Sequence, residues 1–346
     1  MSLFMTDEAC SAEEAEQALA SRGLSDGLPV VPPTEARVNA MLRDVQDPDR
    51  VWGQVPPGMG NLTTRAVAYF STIAGCRPAE LPAVVGAARA CLSPEMNLLG
   101  AQTTTGTAAT GLIIHAQLAE AIGANSGAGC LGPGNRVNAC VGRALALTLR
   151  GVGSALPGIT DMATTGQPAK YTLCFAEAPD GPLPGLATRR GVTGRAVTVF
   201  SVSGMSEVIP AGRGVTAEEI LEPVIEAMVG ATCAKAGLDT VKPEEQLFVL
   251  PPDLAGQLAR LGCGLPEIQQ YIFANGSRAL SRQVSRWRPS RLGDDETGTL
   301  ARSAQDIHPV VAGGAGIKVM YLPLWGNTRS VTFAVPAAVR SPGGKL

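Results

Sequence analysis

Residues 195–204, RAVTVFSVSG, then 216–238, TAEEILEPVIEAMVGATCAKAGL, then 246–277, QLFVLPPDLAGQLARLGCGLPEIQQYIFANGS, decide the fold class. The first stretch is β-branched, aromatic and short, as a buried strand should be. The second repeats apolar residues at helical spacing behind Thr216, a favourable N-cap. The third reads as strand, helix, turn, helix, punctuated by Pro251–Pro252 and by Gly262 and Gly264. YTLCFAE, 171–177, adds a strand upstream, and HPVVAGGAGIKVMYLPLWG, 308–326, adds a strand, a Gly-rich turn and a second strand. Strand and helix signals alternate through this half, which predicts an α/β fold, with α+β as the alternative.

The N-terminal half reads differently. Helical spacing recurs at 11–23, at 34–45 behind Thr34, and at 62–76, 81–92, 118–125 and 136–153. Between these helices lie loops rich in Gly, Thr and Pro, among them QTTTGTAATG at 102–111 and NSGAGCLGPGN at 125–135. DGPLPGLATRRG, 180–191, reads as a connection, and a polar linker is expected over 285–305. Two domains follow: 1–188, helix- and Gly-loop-rich and carrying the site, and 189–346, α/β. A length of 346 residues fits two domains. No internal repeat is visible in the sequence.

Composition excludes several classes of function. Hydrophobic residues make up 45% and charged residues 17%, a globular balance. A net charge of −2 leaves no basic surplus for nucleic acid or anionic lipid, and 4% aromatics argue against base-stacking platforms. No run of 18 apolar residues occurs, so no membrane span is expected. The N-terminus lacks a basic stretch followed by an apolar one, so no signal peptide is expected. Eight cysteines are scattered without a CxxC pair. Reduced thiols and a cytoplasmic location follow.

Three of those cysteines stand out by context. Cys76 lies beside Arg77, which would favour the thiolate. Cys130 sits in a Gly-rich loop just before a helix, where N–H groups and the helix dipole would act in the same direction. Cys174 lies in a strand near Lys170 and Glu177. Cys91, Cys140 and Cys233 sit on Ala- and Leu-rich helices and read as small core residues. In the loop itself, Asn125, Ser126, Gly127, Gly129, Arg136 and Asn138 form a candidate cradle for a carboxylate or phosphate at a helix N-terminus. The loop lacks a Walker A ending and no strand leads into it. A third Gly-rich turn, VVAGGAG at 310–316, has Lys318 close behind. Only two histidines occur, His115 and His308, which excludes a His-rich metal site. His115 follows an apolar run and reads as a buried core histidine.

Five segments occur in order: DGLPVVPPTEARVNAML (26–42), AGCRPAELPAVVGAARACL (74–92), NSGAGCLGPGNRVNACVGRALAL (125–147), DMATTGQPAKYTLCFAE (161–177) and VVAGGAGIKVMYLPLWG (310–326). Together they resemble a poorly characterised bacterial family associated with the selenocysteine-Gly-Ser-Cys (UGSC) motif, described as thiol-disulfide oxidoreductase-like. The resemblance spans nearly the whole chain. It implies cysteine-centred chemistry, with Cys76, the 127–136 loop and Cys174 in the family's characteristic segments. The chain has no Gly-Ser-Cys tripeptide, so the motif's own redox chemistry does not carry over.

Three functional readings stay open on the sequence. In the first, Cys76, Cys130 and Cys174 hold a [4Fe-4S] cluster with one open iron, and the protein is a lyase for a small anionic molecule. In the second, two of the thiols serve a thiol-disulfide or sulfur-transfer oxidoreductase. In the third, the chain is a non-catalytic subunit that binds a selenoprotein or another redox partner. The segment 137–149, VNACVGRALALTL, is apolar nearly all round, so it is either a core helix or part of a homo-oligomer interface.

Overall fold

The structure, a computed structural model, describes residues 3–210, 216–235, 242–287 and 298–336. The chain opens with α1 (Ala12–Ala20) and α2 (Glu35–Met41). Ser11 and Thr34 cap these helices, and Ser11 forms a capping box with Glu14. A ribbon of β1 (Val51–Val55) and β2 (Gly60–Thr63) follows. Then come α3 (Thr64–Ala74), α4 (Leu81–Ala90), the short α5 (Leu98–Thr103) and β3 (Ala109–His115). Next are α6 (Ala116–Ile122), α7 (Arg136–Gly153), β4 (Cys174–Ala176), α8 (Leu186–Arg189), β5 (Ala196–Val202) and β6 (Ser206–Val208). The chain continues with α9 (Ala217–Lys235), β7 (Gln246–Leu250), α10 (Pro252–Arg260) and α11 (Leu265–Trp287). It ends with β8 (Ile307–Val311), β9 (Val319–Pro323) and β10 (Val331–Ala334). The last three residues of the helix expected at 216–238, and residues 288–297 of the expected linker, lie outside the described residues.

Beside the β1–β2 ribbon there are two four-stranded sheets, ordered β10-β5-β3-β4 and β6-β9-β7-β8. In both, the third strand pairs parallel with the fourth and antiparallel with the second, which is antiparallel to the first. The chain passes through them in the same way twice. β3, α6, α7, β4, β5 and β6 match β7, α10, α11, β8, β9 and β10 in order and pairing. The last strand of each set crosses into the other sheet. At the seam, Ser203 N–H donates to Pro323 O (2.8 Å) and Trp325 N–H donates to Ser201 O (2.7 Å), a reciprocal pair around the Val202–Leu324 bridge. The repeat that is invisible in residue identity is thus present in topology.

The alternation of side chains along each strand sorts the core into three layers. Leu112, Ile114, Cys174, Ala176, Val197 and Val199 face α3, α4 and α7. Ile113, Phe175, Phe200 and Val202 of the first sheet meet Leu247, Val249, Val310, Leu322 and Leu324 of the second. Phe248, Leu250, Ile307, Val311, Val319 and Tyr321 face α9, α10 and α11. The result is helix, sheet, sheet, helix, which agrees with the expected mixed α and β class. The boundary expected at 188/189 falls inside α8, and β5 and β10 beyond it complete the sheet begun by β3 and β4.

α7 lies at the centre of the first helical layer. Its composition is accounted for by burial within its own chain, against α3, α4 and β4. Close approaches require glycine there, at Gly142 and Gly151 among others. A Cβ at Gly142 would lie 2.9 Å from Cys174 Cβ on β4, and one at Gly151 would lie 2.0 Å from Phe70 Cζ on α3. Phe70 is fully buried and has nowhere to move. Gly151→Ala is therefore expected to destabilise the protein by about 1–3 kcal/mol through overpacking. Urea denaturation measures this, and an unchanged midpoint would mean that α3 and α7 pack more loosely than described.

Candidate functional site

The residues singled out in the sequence fall into two places. Asn138 holds the loop at the head of α7: its side chain accepts from Asn125 N–H (2.9 Å) and donates to Asn125 O (2.9 Å) and Cys130 O (3.0 Å). Asn125 accepts from Gly127 N–H (2.8 Å) and donates to Ala128 O (3.0 Å). Ser126 O accepts from Gly313 N–H (2.8 Å), which joins this loop to the Gly-rich turn at the C-terminal end of β8. Gly129, at φ +66°, supplies a left-handed turn within it. These polar groups are spent on the loop's own shape. Lys318, behind the 310–316 turn, pairs with Glu207.

Arg136 turns the other way. It pairs with the buried Glu80 and donates to Gly75 O (2.9 Å), while Glu80 also accepts from Arg77 N–H (2.9 Å). That arrangement fixes the turn carrying Cys76, whose electrostatic neighbours include Cys140 and Cys174. Cys130 is not part of this group. It belongs with Phe175 in the layer between the sheets, whereas Cys174 faces α7, so the two thiols lie on opposite faces of β4. The three cysteines therefore do not surround one point, and the residues do not fit a three-cysteine cluster.

The expected thiolates also meet an opposing force. Burial pushes the Cys76 thiol well up, and Glu80 and Cys140 add to this against Arg136. Burial likewise raises Cys174 and outweighs three backbone N–H groups around Cys130. Neither Arg136 beside Cys76 nor the N–H groups around Cys130 overcome desolvation at these sites. Iodoacetamide at neutral pH is expected to label Cys76, Cys130 and Cys174 far more slowly in the native protein than after unfolding, as read by peptide mass spectrometry. Rapid native labelling of any one of them would restore a thiolate there.

Between the sheets, at one edge of the apolar layer, runs a chain of buried polar groups that sequence reasoning missed. Glu177 accepts from Leu186 N–H at the head of α8 and bonds His115 Nδ1 at 2.8 Å. His115 Nε2 meets Thr198 Oγ1 at 2.7 Å, and Thr198 meets Thr332 at 2.8 Å. Arg190 donates to Thr332 Oγ1 (3.1 Å) and Ser330 Oγ (2.7 Å), and approaches His308 Nε2 at 3.2 Å. His308, Glu245 and Asp306 then cluster, with one potential ligand atom of each within 4.8 Å of the others. Arg329 already bridges the carboxylates, to Glu245 at 3.1 Å and to Asp306 at 2.6 Å. The donor set would suit a cation, but a guanidinium fills that role, so the cluster does not fit a metal centre. Both histidines of the chain thus serve one network, and His115 is the buried core residue that its apolar context suggested.

Burial alone would raise the Glu245 carboxyl. The His308 ring and the Ser330 donors outweigh it and hold Glu245 down at about 2. Burial lowers His308 as well, so its ring is neutral at pH 7. Both groups take up protons more readily in the unfolded chain than in the native one. Stability is therefore expected to be complete above the ordinary histidine value. It should fall as His308 is forced to charge, and fall again as pH drops from the ordinary carboxylate range toward 2. Glu245→Gln should remove the lower part of this dependence and cost about 1–3 kcal/mol at neutral pH, because the Ser330 donors lose a charged acceptor while Arg329 keeps Asp306. Urea denaturation from pH 8 to pH 3 tests both parts, and a flat profile would contradict the burial of these charges.

The second missed site is a cavity of about 490 Å³ at the start of β3. The C-terminal half of α7, the short α5 and the loop 155–171 enclose it. Ala101, Ala108, Ala109, Ala146, Leu147 and Leu149 supply apolar wall, and Tyr171 stands half-exposed at the rim. Two ion pairs are built into the wall. Lys170 Nζ bonds both oxygens of Asp161 (2.6 and 2.7 Å), and Arg143 bonds both oxygens of Asp26 (2.7 and 2.8 Å). Arg150 is different. Its Nε is buried without a hydrogen-bond partner, and the side chain makes no hydrogen bond or ion pair among the described residues. Burial lowers its pKa, against the pull of Asp26 and Asp161. The 127–136 loop does not line this cavity. The signal was present in LALTLRGVG, 145–153, where one charge interrupts an apolar helix, but a cation near a helix C-terminus has a ready explanation in the dipole.

No family model matches the chain, and no curated protein matches it. No helix among the described residues is long and apolar enough to cross a membrane.

Proposed function

We propose that the protein binds a small organic anion in the cavity between α7 and the 155–171 loop, with Arg150 as its anchor. The observation that carries this reading is the Arg150 guanidinium, whose Nε is buried and unpartnered in the wall of a cavity of ligand size. A buried donor without an acceptor costs about 1–3 kcal/mol, and a carboxylate offers two acceptors in the planar geometry that arginine matches. Small-anion recognition keeps the substrate class that the sequence suggested, but rests on different residues. Thiol chemistry at Cys76, Cys130 and Cys174 is the weaker reading, because burial favours the protonated thiol at all three.

The test is calorimetric titration of the whole chain with hexanoate, benzoate and inorganic phosphate. Binding of at least one is expected, and Arg150→Gln should weaken it about tenfold to a hundredfold, the worth of a charge-assisted hydrogen bond. Circular dichroism checks that the variant is folded. Equal binding by the folded variant would remove Arg150 from the site.

A further inference from the structure

We infer that the ligand of this cavity is a monoanion with an apolar body, and neither a dianion nor a zwitterion. The inference rests on the anion-binding reading above and takes it one step further, from the state of each charge around the cavity. Four strongly ionisable side chains line it: Asp26, Arg150, Asp161 and Lys170. Both carboxylates are used on both oxygens, Asp161 by Lys170 and Asp26 by Arg143. Arg143 is fully committed too, because it also donates to Pro29 O (2.9 Å) and Leu28 O (3.2 Å). With Arg143 included, three cations and two carboxylates leave one positive charge over, on Arg150.

Each ligand class meets this arrangement differently. One carboxylate neutralises Arg150 and can accept from its buried Nε and one further guanidinium N–H. The second carboxylate of a dianion would have to take Lys170 from Asp161, or lie unpaired against the alanines and leucines of the wall. The ammonium of an amino acid would need a free carboxylate, and both are engaged. A neutral amide would leave the Arg150 charge uncompensated. The remaining wall, from Ala101, Ala108, Ala109, Ala146, Leu147 and Leu149, suits hydrocarbon.

A matched six-carbon series separates these cases on the unaltered protein. Hexanoate, adipate, norleucine and hexanamide present one carboxylate, two carboxylates, a zwitterion and no charge on the same carbon length. Titration calorimetry at constant pH and ionic strength is expected to rank hexanoate at least tenfold above each of the other three. Affinity should rise about threefold per added methylene from acetate through butyrate to hexanoate. Adipate or norleucine binding as tightly as hexanoate, with Arg150→Gln still weakening both, would overturn the monoanion assignment and leave the anchor standing. A series in which no carboxylate binds, or in which Arg150→Gln changes nothing, would overturn the anion-binding reading itself.

Discussion

A sheet with two apolar faces needs cover on both, and here each sheet is one of the other's covers. Ile113, Phe175 and Phe200 press against Leu247, Val249 and Leu322 in a layer built mainly of strand residues. Each side chain fully buried there contributes about 1.5–3 kcal/mol. Without that layer neither half could close: α3, α4 and α7 would cover one face of a sheet whose other face stood in water, and so would α9, α10 and α11. The exchange of β6 and β10 between the sheets adds a topological tie to the contact. Separating the halves would mean pulling a strand from each sheet, so the two are expected to unfold together.

The same layer explains where polar groups are tolerated. Thr332 on β10 pairs with Thr198 and faces inward, while its neighbours Val331 and Phe333 pack on the helical side. A one-residue slip of β10 would turn a valine or a phenylalanine toward Arg190 and leave that guanidinium short of acceptors. Ser330 and Arg329, just before the strand, engage Glu245, which stands next to β7 in the other sheet. Buried ion pairs contribute little net stability, because desolvation offsets their attraction. Their geometry fits one register of the exchanged strand, because a slip would pull Ser330 and Arg329 away from Glu245.

Most of the elements were legible because helix caps and apolar periodicity are local. Ser11, Thr34 and Thr216 each cap the helix their sequence announced. What was not legible depends on distance. β10 is a short strand, with only partly buried or exposed residues, that becomes a strand by pairing with β5, more than a hundred positions earlier. The repeat escaped notice because topology repeats while residues do not. At the sites, composition pointed to glycine and cysteine, yet Asn125 and Asn138 spend their hydrogen bonds inside the loop, and burial reverses the effect expected at Cys76. Glu245, Asp306 and His308 come from segments about sixty residues apart, and no spacing rule joins them.

Arg143 and Arg150 show how little a residue type says without its partners. They lie seven residues apart on α7, so both fall on nearly the same face. Arg143 is saturated by Asp26 and two carbonyls and ties the segment at 26–29 to the helix. Arg150 has the helix dipole in its favour, at most about 1 kcal/mol in an exposed setting, set against a buried donor that costs about 1–3 kcal/mol. The balance is unfavourable in the free protein, and a bound carboxylate would reverse it. A ligand that satisfies Arg150 binds the native state and not the unfolded chain, so it stabilises the fold through the end of α7. Through Gly151 and Phe70 that end is packed directly against α3, which couples the cavity to the helical layer behind the first sheet.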